Sequence, residues 1–186
     1  MHLIRNYATL NINCLRSLPK QQLLRSFIYN NDIDVLLLQE LNIEANRGTT
    51  IIYRSGLPIK QSELHPSGRI LSILTEANEL IVNVYLPSGT NNRTERERVI
   101  SDDLPFYLRH KYNMLILGGD FNNVLNAKDQ LGAYNPSPGL KRICEDLQLL
   151  DSWEVCHGNY VEFTFYRGNS ASRIDKIYVS KQHKEK

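Results

Sequence analysis

Two side chains that suit phosphate or metal chemistry follow an apolar run near the middle of the chain. The run 115–117 leads through two glycines to Asp120, Phe121 and Asn122. Its apolar character predicts a buried strand, and the glycines predict a sharp turn. In extended geometry Asp120 and Asn122 point to one side and Phe121 to the other. A carboxylate and an amide placed in this way suit a hard cation or a phosphate oxygen, although both residues could instead only cap a turn.

Other apolar segments also end in polar residues that could do chemistry. These are Asn11 with Asn13, Glu40, Tyr85, Thr164 and Asp175. If the strands form sheets whose ends converge, these side chains share one pocket with Asp120 and Asn122. The alternative is that these residues have no chemical role, because asparagines are common in turns and a glutamate after a strand is often solvated.

The elements that would position these residues follow from the hydrophobic spacing. Strands are predicted over residues 3–12, 33–38, 49–54, 69–75, 79–86, 113–119, 161–166 and 173–179, and helices over 18–29, 92–110 and 136–147. Pro105 is expected to break or restart the second helix. The arginines at 93, 96 and 98 could meet phosphates, but the glutamates between them favour a solvated face.

Composition limits the class of protein without deciding its function. The 186 residues suffice for one domain, 41% of them are hydrophobic, and the net charge of +2 permits a nucleic-acid partner without requiring one. The three cysteines form no CxxC pair, which favours a reducing compartment. No apolar run approaches the length of a membrane span and the start lacks a signal peptide. We therefore expect an intracellular protein with no membrane partner.

Five short motifs stand in order along the chain. They lie at residues 9–13, 39–40, 82–87, 119–122 and 172–175, and Phe163-Thr164-Phe165 precedes the last of them. Together these motifs resemble the endonuclease/exonuclease/phosphatase superfamily over residues 9–180. Within it, the chain is most similar to the apurinic-endonuclease-like domain of non-LTR retrotransposons.

The resemblance implies an α/β fold, a four-layer sandwich of two central mixed β-sheets flanked by helices, with the site at one end. It implies that Glu40 and Asn11 hold a Mg²⁺ ion, for which Mn²⁺ could substitute. Asp120 would position the attacking water, Tyr85 would contact the scissile phosphate or the leaving group, and Asp175 would orient a catalytic histidine. The expected substrate-binding residues are Asn122, Thr164, Ser88 and Asn13.

Two departures from the family pattern affect these expectations. Many relatives carry asparagine where this chain has Ser88, and serine has a shorter reach. The family also ends in a further strand with an Asp-His pair, whereas His183 lies in Lys-Gln-His-Lys. We therefore expect residues 1–180 to form a C-terminally truncated domain that lacks its last strand, followed by a basic tail at 181–186. Loss of one catalytic residue commonly costs orders of magnitude in rate.

The sequence thus predicts a Mg²⁺-dependent phosphodiester hydrolase resembling a retrotransposon DNA-nicking endonuclease, impaired by the missing motif. Two alternatives stay open, a catalytically inactive remnant that only binds nucleic acid and a phosphatase or phosphodiesterase of the same fold. The expected partner is the DNA backbone, and a reverse transcriptase in a longer parent chain is a further candidate. A DNA target would place the protein in the nucleus.

Overall fold

The computed structural model describes residues 5–42, 48–132 and 134–181. The strands in this part of the chain are β1 (Tyr7–Asn11), β2 (Val35–Gln39), β3 (Thr50–Tyr53), β4 (Ile59–Leu64), β5 (Ile70–Thr75), β6 (Glu79–Tyr85), β7 (Met114–Asp120), β8 (Gln130–Leu131), β9 (Leu149–Asp151), β10 (Phe165–Arg167), β11 (Ser170–Ser172) and β12 (Asp175–Ser180). The α-helices are α1 (Leu18–Asn30), α2 (Arg93–Arg98), α3 (Leu104–Leu108), α4 (Pro138–Asp146) and α5 (Ser152–His157). A π-helical segment, Val99–Asp103, joins α2 to α3, and 3₁₀ turns cover Thr90–Asn92 and Ala127–Asp129.

The strands form three sheets. The small sheet has the order β1-β2-β3, the large sheet β4-β5-β6-β7-β12-β9, and a third sheet β10-β11-β8. Both main sheets are mixed, since β1 pairs parallel with β2 and β6 parallel with β7, while the other pairs are antiparallel. Among the described strands, β1 pairs with β2 alone and so forms an edge of the small sheet.

Alternation along the strands produces four layers. In β2, Leu36 and Leu38 pack toward α1, whereas Val35 and Leu37 pack against the large sheet. The far face of the large sheet packs on the helices through a core that includes Ile100 of the π-helical segment and residues of α3 and α4. A strand covered on both faces is uniformly apolar, as residues 35–38 are. The predicted four-layer α/β sandwich with two mixed sheets is confirmed.

Several local predictions agree with the structure. The helix over 18–29 is α1, and Asn78 takes the left-handed conformation (φ 57°) in the turn between β5 and β6. Ser137 caps α4 by accepting a hydrogen bond from Leu140 N at 3.1 Å, with Pro138 in the first turn. No helix among the described residues is both long enough and apolar enough to cross a membrane.

Of the two outcomes expected at Pro105, a break or a restart of the helix, the structure shows a restart, because α3 begins at Leu104. The helical stretch continues from α2 through the π-helical segment into α3, and Leu104 N bonds to Val99 O five residues earlier. Pro105 then lies in the first turn of α3, where a missing N–H costs little. The strand predicted over 161–166 is shifted. Only Phe165–Arg167 pairs, because its partner β11 has just three residues.

The turn predicted at the two central glycines is wrong. Both glycines lie inside β7, which continues to Asp120. A Cβ on Gly118 would lie 2.5 Å from the side chain of Leu37, and one on Gly119 only 2.0 Å from Val84 O. Gly119 also has φ 138°. These glycines are therefore required for close approach of neighbouring strands, and not for a turn.

Candidate active site

The layer between the small and large sheets changes from apolar to polar along the strands. The residues of β6 that face the small sheet are Ile81, Asn83 and Tyr85, and those of β7 begin at Ile116 and end at Asp120. Because a strand rises about 3.3 Å per residue, the polar end lies about 13 Å from the apolar end. The candidate site is this polar end of an otherwise hydrophobic layer.

Register brings three of the predicted site residues side by side. Tyr85 lies opposite Asp120, and Asp120 lies opposite Asp175 on β12. The small sheet supplies Asn11 at the end of β1 and Glu40 directly after β2. The sequence-based expectation that these strand ends converge is therefore met in the geometry of both sheets.

Asp120 is the most constrained of these groups. Its Oδ2 accepts a hydrogen bond from Asn11 Nδ2 at 2.9 Å, and its Oδ1 accepts one from Asn122 N at 2.9 Å. The bond from Asn122 N is the turn-capping contact that was the alternative role for Asp120. The same carboxylate therefore caps the turn and accepts the bond from Asn11. Burial, and then repulsion from Asp175, raise the pKa of Asp120 to about 7, against the opposing effect of its two hydrogen bonds. An anionic Asp120 is thus costly in this environment unless positive charge is nearby.

Tyr85 and Glu40 join the two sheets at the site. The Tyr85 hydroxyl donates to Glu40 Oε1 at 2.6 Å, and burial together with this bond raises the pKa of the phenol. The phenol therefore stays protonated at neutral pH and is a hydrogen-bond donor. Glu40 takes a left-handed backbone (φ 56°), which costs a non-glycine residue about 1–2 kcal/mol. This conformation turns the chain out of β2 just where its carboxylate meets Tyr85.

Asp175 lies at the start of β12, and its Oδ1 is buried with no hydrogen-bond partner among the described residues. Burial raises the pKa of this carboxyl group. Thr164 supports the backbone here, because its Oγ1 accepts from Ile174 N at 3.1 Å and from Asp175 N at 3.2 Å. The predicted contact of Thr164 with a substrate stays a prediction.

The remaining predicted substrate residues lie around this cluster. Asn122 has φ 46° and donates from Nδ2 to Leu86 O at 2.9 Å. Asn13 is exposed, and its N–H bonds to Asn11 Oδ1 at 3.1 Å. Ser88 is exposed in the loop that follows β6. The structure thus places these side chains beside the site, and their contacts with a substrate stay predictions.

A buried amide pair behind the site was not predicted from the sequence. Gln39 is fully buried and donates from Nε2 to Asn83 Oδ1 at 2.7 Å, while Asn83 Nδ2 donates to Leu38 O at 2.9 Å and Thr50 O at 2.8 Å. The pair ties the small sheet to the large sheet next to Glu40. The available signal was two amides at inward positions of otherwise apolar strands, since buried amides need partners that fix the surrounding structure.

The interpretation of the arginines on α2 as a solvated face is wrong for Arg96. Its side chain is buried, and Nη1 donates to Pro87 O at 2.6 Å and to Gly89 O at 3.2 Å. Arg96 thereby fixes the loop that follows Tyr85 and carries Ser88. Its acceptors are backbone carbonyls of a separate segment, so charge patterning along the helix could not reveal them.

Three carboxylates on the helix side of the large sheet, Asp129, Asp151 and Glu154, have oxygens within 4.8 Å of one another. Two buried cations already meet them. Lys176 Nζ lies 2.5 Å from Asp129 Oδ2, and Arg173 Nη2 lies 2.7 Å from Asp151 Oδ2. Because these cations supply the charge that a metal would, we assign the cluster to anchoring the start of β12 rather than to metal binding.

The polar end between the sheets fits a divalent cation better. Glu40, Asp120 and Asp175 bring three carboxyl groups together with the Asn11 amide, and one buried oxygen of Asp175 lacks a partner within the described ranges. Burial first, and then repulsion from Asp175, raise the pKa of Asp120, and a nearby cation would offset both effects. Carboxylate and amide oxygens are the ligands that hard cations prefer.

The described histidines are engaged elsewhere. His65 Nε2 lies 3.6 Å from Asp103 Oδ2, and His110 Nε2 lies 2.9 Å from Glu63 Oε2. His157 stacks on Trp153 with ring centroids 4.1 Å apart. Two others, at positions 2 and 183, fall outside the described residues. Within that part of the chain, no histidine hydrogen-bonds to a residue of the candidate site.

Comparison with known proteins agrees with this arrangement. The model of the Endonuclease/Exonuclease/phosphatase family matches residues 8–185, nearly the whole chain. The chain belongs to this family. The resemblance noted from the five sequence motifs is therefore confirmed, and the match extends over all the strands that form the candidate site.

Curated and solved relatives support the same assignment at different levels. An uncharacterized 149 kDa protein of transposon TX1 from Xenopus laevis is 32% identical over 109 residues, which is 54% of this chain but only 8% of that protein. An AP endonuclease from Archaeoglobus fulgidus matches with a TM-score of 0.76 at 15% identity, covering 95% of this chain and 87% of the other. A 3′ phosphatase from Neisseria, bound to a product DNA hairpin, matches with a TM-score of 0.69 at 18% identity over 95% and 87% of the two chains. At these identities the structural matches establish the shared fold, and the transposon protein agrees with the retrotransposon-like resemblance.

Proposed function

We propose that this chain is a divalent-metal-dependent phosphodiester hydrolase that nicks DNA, with Mg²⁺ as its metal and Mn²⁺ as a substitute. One observation carries the proposal. Glu40, Tyr85, Asp120 and Asp175 meet Asn11 at the polar end of the layer between the two main sheets. This combination offers metal ligands, a group to orient water and a hydrogen-bond donor within one cluster.

Each residue has a distinct task in this proposal. A divalent cation held by Glu40 and Asn11 would offset the charge that builds on the phosphate oxygens. Asp120 orients the attacking water and accepts its proton, because hydrogen bonds from Asn11 Nδ2 and Asn122 N hold its carboxylate in place. Tyr85, whose pKa is raised, stays protonated and donates to the phosphate or the leaving oxygen. Asp175 lies opposite Asp120 on β12, and one of its buried oxygens has no partner among the described residues, which leaves an acceptor beside Asp120.

DNA is the proposed substrate for two reasons. The relative with sequence similarity is a transposon protein, and one structural relative is a phosphatase bound to a DNA hairpin. The net charge of +2 is compatible with a polyanionic partner. Asn122, Ser88, Asn13 and Thr164 surround the cluster and are the proposed contacts to the DNA backbone. Nuclear location and association with a reverse transcriptase in a longer chain remain predictions.

A second candidate function is DNA binding without turnover. It is favoured by the histidines, because His65, His110 and His157 are paired or stacked elsewhere in the described structure. Without a histidine, or another charged or hydrogen-bonding group, beside the reacting phosphate, the residues that bind DNA would still bind it. Hydrolysis would slow by orders of magnitude.

The decisive experiment is nicking of supercoiled plasmid by the 186-residue chain, with Mg²⁺, with Mn²⁺ and with EDTA. Asp120→Ala is the test variant, and Asp102→Ala is the control because it removes the same charge from an exposed position on the π-helical segment. The proposal expects metal-dependent nicking by the wild type and the control, and none by Asp120→Ala. Equal nicking by all three proteins would refute it.

A parallel assay separates the alternatives. The same proteins are incubated with a DNA hairpin that carries a 3′ phosphate, and released phosphate is measured. Phosphate release without plasmid nicking would favour the phosphatase alternative. Binding of DNA by a folded chain with neither activity would favour the binding-only candidate.

A further inference from the structure

The row of site residues along the edge of the large sheet extends by one strand beyond Tyr85. Ile70 of β5 pairs with Val84, and Tyr85 N donates to Arg69 O at 2.8 Å. Arg69 therefore lies directly opposite Tyr85, and since facing residues share one side of a sheet, its side chain points to the same side. The order along the edge is Arg69, Tyr85, Asp120 and Asp175, where Arg69 directly precedes β5 and the others lie on β6, β7 and β12.

The guanidinium group of Arg69 lies beside Tyr85. Its Cζ is 5.5 Å from the centre of the Tyr85 ring, and Nη1 donates to Tyr85 O at a long 3.5 Å. No carboxylate of the described residues forms an ion pair with Arg69, whereas arginines elsewhere, such as Arg54 and Arg109, do pair with acidic side chains. A half-buried guanidinium with five donors and one long hydrogen bond has donors to spare for a ligand.

The backbone that carries Arg69 is held by both sheets. Gly68 O accepts hydrogen bonds from Thr49 N at 2.9 Å and from Thr49 Oγ1 at 3.1 Å, and Gly68 itself has φ 70°. With Tyr85 N bonded to Arg69 O, the residue is fixed relative to the candidate site. Because the backbone of Arg69 is held in place, less freedom is lost when its side chain binds a ligand, which favours affinity.

We propose that Arg69 is a phosphate-binding residue that anchors the DNA phosphate next to the scissile one, on the Tyr85 side of the site. This inference rests on the proposed function, since it assumes that the scissile phosphate lies among Glu40, Tyr85 and Asp120. Arginine suits the task because its planar fork makes two parallel hydrogen bonds to phosphate oxygens. Arg69 contacts the substrate away from the reacting atoms, so it contributes binding that is equal in the ground and transition states.

The test is DNA binding by Arg69→Gln at a series of NaCl concentrations, with EDTA present so that no hydrolysis occurs. We expect affinity to fall about tenfold and the slope of log K against log[salt] to become shallower by about 1, as for loss of one phosphate contact. Arg69→Lys should restore part of the affinity with the original slope. Arg142→Gln, which removes an equal charge from an exposed position on α4, should leave both quantities unchanged.

A second readout is plasmid nicking in Mg²⁺, where Arg69→Gln should raise KM about tenfold with kcat within twofold of the wild type. An unchanged salt slope, or a fall in kcat with unchanged affinity, would overturn the inference. Thermal melting of each variant shows whether the protein is folded. Binding is measured in EDTA and so does not depend on nicking. If the wild type binds DNA but never nicks it, the proposed hydrolase is refuted, and the binding data still test the role of Arg69.

Discussion

Replacing Asp120 by asparagine should make the metal-free protein more stable while abolishing hydrolysis. The pKa of Asp120 is raised from 3.8 to about 7 in the folded chain. Between those values the folded state holds a proton that the unfolded state has lost, so stability falls as pH rises from about 4 to 7 and levels off above 7. Asparagine carries no charge, so the variant does not lose stability through this group as pH rises.

The size of the effect follows from the same pKa. A change from 3.8 to about 7 corresponds to about 4 kcal/mol above pH 7. Asparagine keeps an oxygen for Asn122 N, but its NH₂ group then faces the Asn11 amide, which costs about 1 kcal/mol. The net gain is about 3 kcal/mol, or an increase of about 8 °C in Tm for a chain of this size.

The assay is thermal unfolding of both proteins in EDTA from pH 3.5 to pH 8.5. The difference in Tm should be near zero or slightly negative at pH 3.5, where both side chains are neutral, and should grow to its full value above pH 7. Asp102→Asn is the matched control because it changes the same functional group at an exposed position. A difference in Tm that does not vary with pH would refute the reasoning. Added Mg²⁺ should raise the Tm of the wild type more than that of Asp120→Asn.

Three further predictions concern the parts that support the site. Gly119→Ala should cost more than about 3 kcal/mol of stability, because its Cβ would lie 2.0 Å from Val84 O at φ 138°. Asn83→Leu should cost about 2–4 kcal/mol, because it leaves buried polar partners unsatisfied. Glu63→Gln should flatten the acid part of the stability profile. The hydrogen bond from Arg109 lowers the pKa of Glu63 from 4.5 to about 2, so the stabilisation is present above pH 4.5 and is lost as pH falls toward 2. Chemical denaturation at several pH values measures all three.

Each of these variants has a control in the same chain. Gly132→Ala introduces a side chain at φ 111° with its nearest neighbour 3.8 Å away, so equal losses at Gly119 and Gly132 would show that the clash is unimportant. Asn113→Leu changes an exposed asparagine and should be nearly neutral, and a similarly neutral Asn83→Leu would contradict the bridging role of that residue. Glu95→Gln alters an exposed glutamate on α2, and a profile like that of Glu63→Gln would remove the argument from the ion pair.

The residues of the site could be predicted because the sequence signals for them lie within short segments of the chain. Strand-end residues such as Asp120 and Tyr85 follow runs whose period fixes which side they face, and the motif order added the fold. Prediction failed where the cause lay in a distant segment. Glycine is needed at two positions of β7 because Leu37 and Val84 leave no room there for a side chain. Arg96 can be buried because the carbonyl of Pro87 accepts its hydrogen bond. Short strands such as β8 and β11 also escaped detection, because two or three residues carry no measurable period.

The register that aligns the site also restricts how the gene can change in length. Tyr85, Asp120 and Asp175 face one another across adjacent strands. Inserting or deleting one codon within β6, β7 or β12 would turn every later side chain of that strand to the opposite face. A single such change would remove a site residue and expose core residues at once. Codons in the connecting loops carry no such constraint, so descendants of this sequence should vary in length between the motifs and keep constant length within them.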